Sequence, residues 1–448
     1  MPGFFWKNGE LKMDYESALD FIHGRYKFKK HANLDTIKRL LKELGNPEKS
    51  LKIIHVGGTN GKGSTVSYLK NIFMAEGKTV GTFTSPFITR FNERISVNGQ
   101  PISDDDLVEL VTTIKPIVDK LDLELAEDGP TEFEIITAMM FLFFSQQPID
   151  VAIVEVGIGG ILDSTNVLTP VVSVITTIGM DHMQLLGNTI QEIATQKAGI
   201  IKDKRDVVIG NVNDEAMEVF IAETKAKKSA LYAFDNQFTI SNLKNTNRWT
   251  QTFDYEDDQV VIRKLESQLL GEYQSHNAAC AIKAYLLYKK FENEDASRDA
   301  IVDGIKKTTW PGRFEKINEL PLVVLDGAHN VDAMNQLKKL IKNYFSGTEI
   351  YIIIGILSDK NYMEMLNIIG SINNVHLVLT KFEAYGSRQS ADVDQIASSI
   401  KSKNDVQVID DWREAIANVA SEISDDDMIL VTGSLYFISD VRKLFTNG

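Results

Sequence analysis

The residues best suited to chemistry lie in "HVGGTNGKGST", where Gly57, Gly58, Gly61 and Gly63 surround Lys62. The run before them, "LKIIHVGG", is apolar and β-branched, and Lys62 to Glu76 has the pattern of a helix. A strand, a glycine turn and a helix start aim several backbone N–H groups at one point. The helix end adds roughly half a positive charge and the lysine a full one. Gly58, Thr59, Asn60, Gly61, Lys62, Gly63 and Ser64 therefore read as a cradle for phosphate. The spacing departs from G-x-x-x-x-G-K-[ST], because three residues separate Gly57 from Gly61 and Gly63 intervenes before Ser64. The bland counterpart is a flexible turn with a surface lysine. Taken alone, the loop is open to kinase, GTPase, motor and ligase chemistry. "GIGGILD", after the strand-like "VAIVEV", lacks the glycine spacing of a dinucleotide site.

The elements that must position this loop alternate along the chain. "LKIIHVGG", "TVGTFTS", "VAIVEVG" and "VVSVITTIG" read as buried strands, and Lys62 to Glu76, Asp104 to Leu125, Glu132 to Gln146 and Thr189 to Ile200 as helices. Apolar strands separated by helices indicate a parallel sheet covered on both faces. A more polar stretch, roughly Ser229 to Lys264, reads as a small β insertion. Pro311 and Gly312 of "TTWPGRFEKI" then break the chain, and the rhythm restarts with "LVVLDGAH", "EIYIIIGI", "VHLVLT", "VQVID" and "MILVTGS". The fold class is α/β: two doubly wound domains, a P-loop ATPase-like one over 1–308 and a smaller Rossmann-like one over 313–448, with a hinge near 308–313. Ligands of such sheets sit beyond the carboxyl ends of strands. The polar clusters "GTNGKGS", "TSPF", "EVGIGG", "GMDH", "DGAHN" and "TGSLY" all fall there, so a crevice between the domains is the expected site.

Bulk properties narrow the partners. The 448 residues exceed what one core usually serves. A formal charge of -14 argues against nonspecific nucleic-acid or anionic membrane binding. The single cysteine, Cys280, excludes an internal disulfide framework and suits a reducing cytoplasm. The first residues, "MPGFFWKNGELKMDYESALD", carry no secretion signal, and no run reaches the roughly 18 apolar residues of a membrane span.

Seven segments occur in one order: "HVGGTNGKGST", "TSPFITRFNERISVNGQPIS", "VEVGIGGILDSTNV", "TTIGMDHMQLLGNTIQEIATQKAGIIK", "WPGRFE", "LDGAHN" and "TGSLYF". Together they resemble the folylpolyglutamate synthases and dihydrofolate synthases of the Mur ligase superfamily over nearly the whole chain. The resemblance implies that a folate-type carboxylate is phosphorylated by ATP and the acyl phosphate is attacked by the amine of L-glutamate. Such chemistry needs a triphosphate cradle, divalent metal and positioned anionic substrates. Folate, glutamate and ATP are then the partners, in a cytoplasmic monomer.

The same resemblance assigns residues. Two Mg²⁺ sites are implied, one at Ser85 and Glu155, the other at Glu155 and His182. From the residues alone, Ser85 before Pro86 also fits a turn or cap, and His182 also fits a structural role. Glu155 ends an apolar strand, where an unpaired carboxylate costs several kcal/mol, so a cation partner is favoured. Lys197 is implied to be carbamylated, which requires a partly deprotonated amine such as burial provides; a solvated helix lysine is the plain reading. Asn277, Arg313 and Asp326 are implied at the nucleotide, and His329 and Ser434 at the incoming glutamate. Lys62, Lys197 and His329 form the catalytic set. Phe133, Leu162, Asp163 and Ser164 are implied near the pterin, while Met139, Met140 and Phe143 have core periodicity. Ile161 stands where the family segment has arginine, which favours chain extension over glutamylation of dihydropteroate. A cell-wall ligase acting on a UDP-linked sugar peptide, or a P-loop protein without ligase activity, are the alternatives.

Overall fold

The computed structural model describes residues 4–7, 10–27, 29, 33–383 and 389–446; the outer limits of the two expected domains, 1 and 448, lie outside these. Four β-branched runs become strands buried along their whole length: Ile53–Gly57, Val80–Phe83, Val151–Glu155 and Val172–Ile175. Complete burial of alternate side chains requires apolar cover on both faces. Ile54, Val56, Val151 and Ile153 meet helices Lys62–Ala75 and Glu272–Glu292 on one side. Ile53, Ala152 and Val154 meet helices Asp104–Leu125 and Glu132–Gln146 on the other. Both of those helices start with capping boxes, Ser103 with Asp106 and Thr131 with Glu134, which satisfy orphan N–H groups and fix where each begins.

The first sheet has eight strands. In spatial order they are Leu231–Ala233, Asp206–Ile209, Val172–Ile175, Ile53–Gly57, Val151–Glu155, Val80–Phe83, Ile95–Val97 and Gln100–Pro101. The first six are parallel, and the last two form an antiparallel edge. The insertion expected over 229–264 is split. Leu231–Ala233 extends the main sheet, and Phe238–Asn247, Thr250–Asp257 and Val261–Ser267 form a separate antiparallel sheet that runs three residues further.

The second sheet contains all five strands expected from the sequence, in the order Leu322–Leu325, Met428–Thr432, Ile350–Ile354, Val375–Lys381 and Val406–Asp411, all parallel. A sixth, Glu315–Glu319, pairs antiparallel at the edge; its largely polar sequence hides it from hydrophobic patterning. Val324 and Ile352 face one apolar layer, Val323 and Ile353 the opposite one.

The insertion reaches across to the second sheet domain. Trp249, at its hairpin tip, packs against Phe314 and Phe345 at centroid distances of 6.2 and 5.7 Å. Arg248 donates to Thr348 Oγ1 at 3.0 Å, and Tyr344 donates to Gln251 at 2.5 Å. No helix among the described residues is long and apolar enough to cross a membrane.

Candidate active site

The carboxyl ends of both sheets line one cavity of about 510 Å³. On its floor the strand Ile53–Gly57 runs into the glycine loop, and Lys62 opens the helix Lys62–Ala75. Gly61 adopts φ of +88°, and an added Cβ would lie 2.9 Å from Asn277 Cγ. At Gly63 the same atom would meet the Trp310 indole at 2.9 Å. Close approach thus forces glycine at both positions. Thr59 N donates to Thr177 O at 2.8 Å and Asn60 N to Thr177 Oγ1 at 3.0 Å, so the neighbouring strand end pins the loop. Lys62 Nζ curls over it, donating to Gly58 O and Thr59 O at 3.1 and 3.2 Å. Ser64 Oγ is buried with no hydrogen-bond partner among the described residues.

Lys197 enters from helix Ile190–Ala198 and donates to Gly58 O at 3.0 Å. It is buried, and that burial, reinforced by the Lys62 charge, pushes its amine down to about 7. Glu155 ends the adjacent strand and is also buried, which raises its carboxyl to about 7 against the attraction of Lys62, Arg313 and Arg94. Ser85 N donates to Glu155 Oε2 at 3.3 Å, while Ser85 Oγ accepts from Arg94 Nη1 at 3.0 Å. His182 lines the same cavity, and burial lowers its imidazole to about 4, leaving it neutral. Among the described residues no three His, Cys, Asp or Glu side chains cluster as a metal cage. Mg²⁺ does not need one, since it keeps several waters and takes few hard oxygens. The unpartnered Ser64 hydroxyl and the buried Glu155 carboxylate fit that donor set.

Asn277, Arg313, Asp326, His329 and Ser434 all line this cavity too. Asp326 accepts from Ala328 N and Phe314 N at 2.9 and 3.0 Å, so it also ties the domain connection to the second sheet. Burial raises its carboxyl, opposed chiefly by Arg313. His329 Nδ1 lies 2.8 Å from Gly327 O. A carbonyl only accepts, so Nδ1 donates in that contact, and Nε2 faces the Asp181 carboxylate at 3.7 Å.

Phe133, Leu162, Asp163 and Ser164 are not brought into the cavity wall. The Phe133 ring lies against Gly157, which does line it, and near Phe83 at 5.9 Å. Asp163 is buried, and its oxygens accept from Ile158 N at 2.9 Å, Thr165 N at 3.0 Å and the Thr165 hydroxyl. A carboxylate so fully engaged braces its loop. Leu162 and Ile161 are exposed, and Met139, Met140 and Phe143 are core, as their spacing implies.

Three participants escaped the sequence reading. Asp181 precedes His182 in "GMDH" and receives Lys360 Nζ at 2.7 Å and Asn330 Nδ2 at 3.1 Å from the second sheet domain. His329 and the Lys360 ammonium hold its carboxyl far below the usual range despite burial. Lys360 follows the strand Ile350–Ile354 in "LSDKN", a strand-end polar cluster that could have drawn notice. Arg94 lay within the quoted "TRFNERI" without a role.

A phosphate-type loop on one α/β sheet, closed by the strand ends of another, defines a nucleotide-dependent ligase of the Mur type. The Mur ligase middle domain matches residues 56–285 and the Mur ligase glutamate ligase domain residues 312–435. Folylpolyglutamate synthase of Lacticaseibacillus casei is 40% identical over 437 residues, covering 97% of this chain and 100% of its own. A Bacillus subtilis protein named dihydrofolate synthase/folylpolyglutamate synthase is 40% identical over 432 residues, covering 96% and 98%. Among solved structures, a folylpolyglutamate synthase complex with AMPPCP and folate superposes with TM-score 0.84 at 39% identity, covering 97% and 100%. The chain belongs to the folylpolyglutamate synthase/dihydrofolate synthase family of the Mur ligase superfamily. Full-length likeness to folate ligases sets aside the cell-wall and non-ligase alternatives.

Proposed function

We propose that this enzyme extends the γ-carboxylate of a tetrahydrofolate, or of its polyglutamate, by one L-glutamate at a time, with ATP as co-substrate. The observation that carries this reading is the shared cavity: the glycine-lysine loop and the second-domain strand ends line one space. A carboxylate oxygen attacks the γ-phosphorus, the bond to ADP breaks, and an acyl phosphate forms. The glutamate amine then attacks the acyl carbon, phosphate leaves, and the amine gives up a proton.

Gly58 to Ser64 and Lys62 hold the triphosphate in this scheme, with Asn277, Arg313 and Asp326 at the rest of the nucleotide. His329, whose Nε2 lies 3.7 Å from Asp181, orients the attacking amine, and Ser434 lines the same cavity. Phe133 and the Leu162–Ser164 loop adjoin the cavity through Gly157 and take the pterin end, Asp163 by shaping that loop. Ser85 and Glu155 would hold one Mg²⁺, and Glu155 with His182 a second. When bound, the metal offsets charge on the transferring phosphoryl. Lys197, buried beside Lys62 with an amine lowered to about 7, is suited to carbamylation. There its neutral nitrogen adds CO₂ and releases a proton, and the product is an anion.

The ATP-binding domain is taken as 1–308 and the glutamate-ligase domain as 313–448, a division supported by matches over 56–285 and 312–435. A cytoplasmic monomer that binds neither nucleic acid nor membrane fits the charge of -14 and the lone buried Cys280. Glutamylation of dihydropteroate is the second reading, favoured by the bifunctional name of the Bacillus subtilis relative. Ile161 supplies no cation where the family segment has arginine, so chain extension stands first. The test is phosphate release by the purified protein. Dependence on tetrahydrofolate and glutamate together is expected, and release indifferent to either refutes the reading.

A further inference from the structure

Arg94 is a half-buried cation that forms no ion pair among the described residues. It ends the short 3₁₀ turn Phe91–Arg94, just before the edge strand Ile95–Val97, and it lines the cavity. Its guanidinium carbon lies 5.2 Å from the Phe87 ring centroid and 5.6 Å from that of Phe91, so aromatic surface covers it. Nη1 donates to the neutral Ser85 hydroxyl at 3.0 Å, and Nε is buried without a partner. Among the described residues no carboxylate forms an ion pair with it. Glu132 is engaged by His23 at 3.2 Å, and Glu155 by Ser85 N at 3.3 Å. A half-buried guanidinium covered by aromatic surface, with no carboxylate in contact, is a ready site for an anionic ligand.

Its place in the sheet indicates which ligand. Along the carboxyl edge the order is the phosphate loop, then Glu155, then Ser85, with Arg94 beyond. Neighbouring strands are about 4.8 Å apart, which puts Arg94 on the far side of Glu155 and Ser85 from the loop. The phosphate side already has Lys62, Lys197 and Arg313. The anion left for Arg94 is the one that receives the phosphoryl. The second domain closes over this spot, where the Ser439 hydroxyl donates to Ile88 O and Arg442 Nη1 to Thr89 Oγ1 at 3.1 Å.

We infer that Arg94 binds the acceptor carboxylate and the acyl phosphate made from it, positioning that group for attack. This rests on the ligase reading above and names a residue to which neither the motifs nor that reading gave a role.

The test is initial-rate kinetics of Arg94→Ala and Arg94→Lys with tetrahydrofolate varied, then ATP, then glutamate. The expected result is a KM for the folate raised at least tenfold in Arg94→Ala, with the KM values for ATP and glutamate within threefold of wild type. Millimolar guanidinium should restore part of the loss, whereas a merely structural arginine would not be so replaced. A folate KM within twofold of wild type, a change confined to ATP or glutamate, or failure of guanidinium to rescue overturns the assignment. Should the variants not fold, equilibrium binding to wild type decides. A folate whose γ-carboxylate is converted to an amide should bind at least tenfold more weakly than the acid, and equal binding overturns it. A wild-type protein that prefers the acid yet ligates nothing faults the ligase reading alone.

Discussion

Replacing Glu155 with glutamine removes a carboxylate that the fold buries completely while keeping its shape. Burial raises this carboxyl from 4.5 to about 7, even with Lys62, Arg313 and Arg94 nearby. The folded state therefore binds the proton more tightly than the unfolded chain. The associated stability is fully present below about pH 4.5 and is lost as pH rises through about 7. At about 1.4 kcal/mol for each tenfold change in proton affinity, the loss in wild type amounts to about 3 kcal/mol at pH 8. Glutamine imitates the protonated form and avoids it. Glu155→Gln should accordingly unfold later than wild type at pH 8, by about 3 kcal/mol, or roughly 5 °C for a cooperative unit of about 300 residues. At pH 5 the advantage should shrink below about 1 kcal/mol. The assay is thermal unfolding of the ligand-free proteins at both pH values, repeated with Mg²⁺ and ATP. Wild type should gain about 3 kcal/mol at ligand one hundred times its Kd, and the variant far less. Equal midpoints at pH 8, or a variant less stable than wild type there, would refute the argument that Glu155 is kept at the expense of stability for a cation.

Other substitutions probe the loop and its neighbours. Lys62→Ala should abolish turnover and leave the protein folded, because the ammonium's hydrogen bonds go to loop carbonyls and no core volume is lost; more than a tenth of wild-type turnover would count against its role. Lys197→Ala should lose activity and regain part of it with added acetate or formate, while activity equal to wild type would end the carbamate proposal. Gly61→Ala should raise the KM for ATP at least tenfold, since alanine resists φ of +88° and its methyl would crowd Asn277. An unchanged KM, measured on folded protein, would show that the loop tolerates the shift.

What the sequence revealed depended on whether the cause was local. The apolar β-branched runs became strands because buried parallel strands need no polar alternation. Asp104–Leu125 and Glu132–Gln146 were legible to the residue, since Ser103 and Thr131 start them with side-chain caps. The glycine loop was legible for the same reason. Edge strands were not: three of the five residues of Glu315–Glu319 are charged, so its hydrophobic signal is faint. The division of the 229–264 segment was equally hidden, because membership of a sheet is a matter of distant pairing. Asp181 and Lys360 lie 179 residues apart, and no periodicity links them. Phe133 and Asp163 show the converse. Their neighbourhood was foreseeable, but whether a side chain faces the cavity or braces its wall is fixed by packing against Gly157 and by N–H groups that only the folded loop presents.

The two sides of the domain junction are built from different chemistry, and the reaction explains why. Away from the cavity, Trp249 lies among Phe314 and Phe345, with hydrogen bonds from Arg248 to Thr348 and from Tyr344 to Gln251 beside it. Beside the cavity the junction is polar. Asp181 accepts from Lys360 and Asn330, and Asn330 also exchanges amide hydrogen bonds with Asn60 of the phosphate loop at 3.1 and 3.3 Å. Asn330 meanwhile caps the helix Val331–Tyr344 by accepting from Ala333 N. Charged and amide groups lose little by returning to water, so these contacts can open and re-form at low cost. An acyl phosphate must be shielded from water, yet its precursors and product must enter and leave. A junction with an aromatic contact at Trp249 and polar contacts at Asn60, in the phosphate loop, is compatible with both demands.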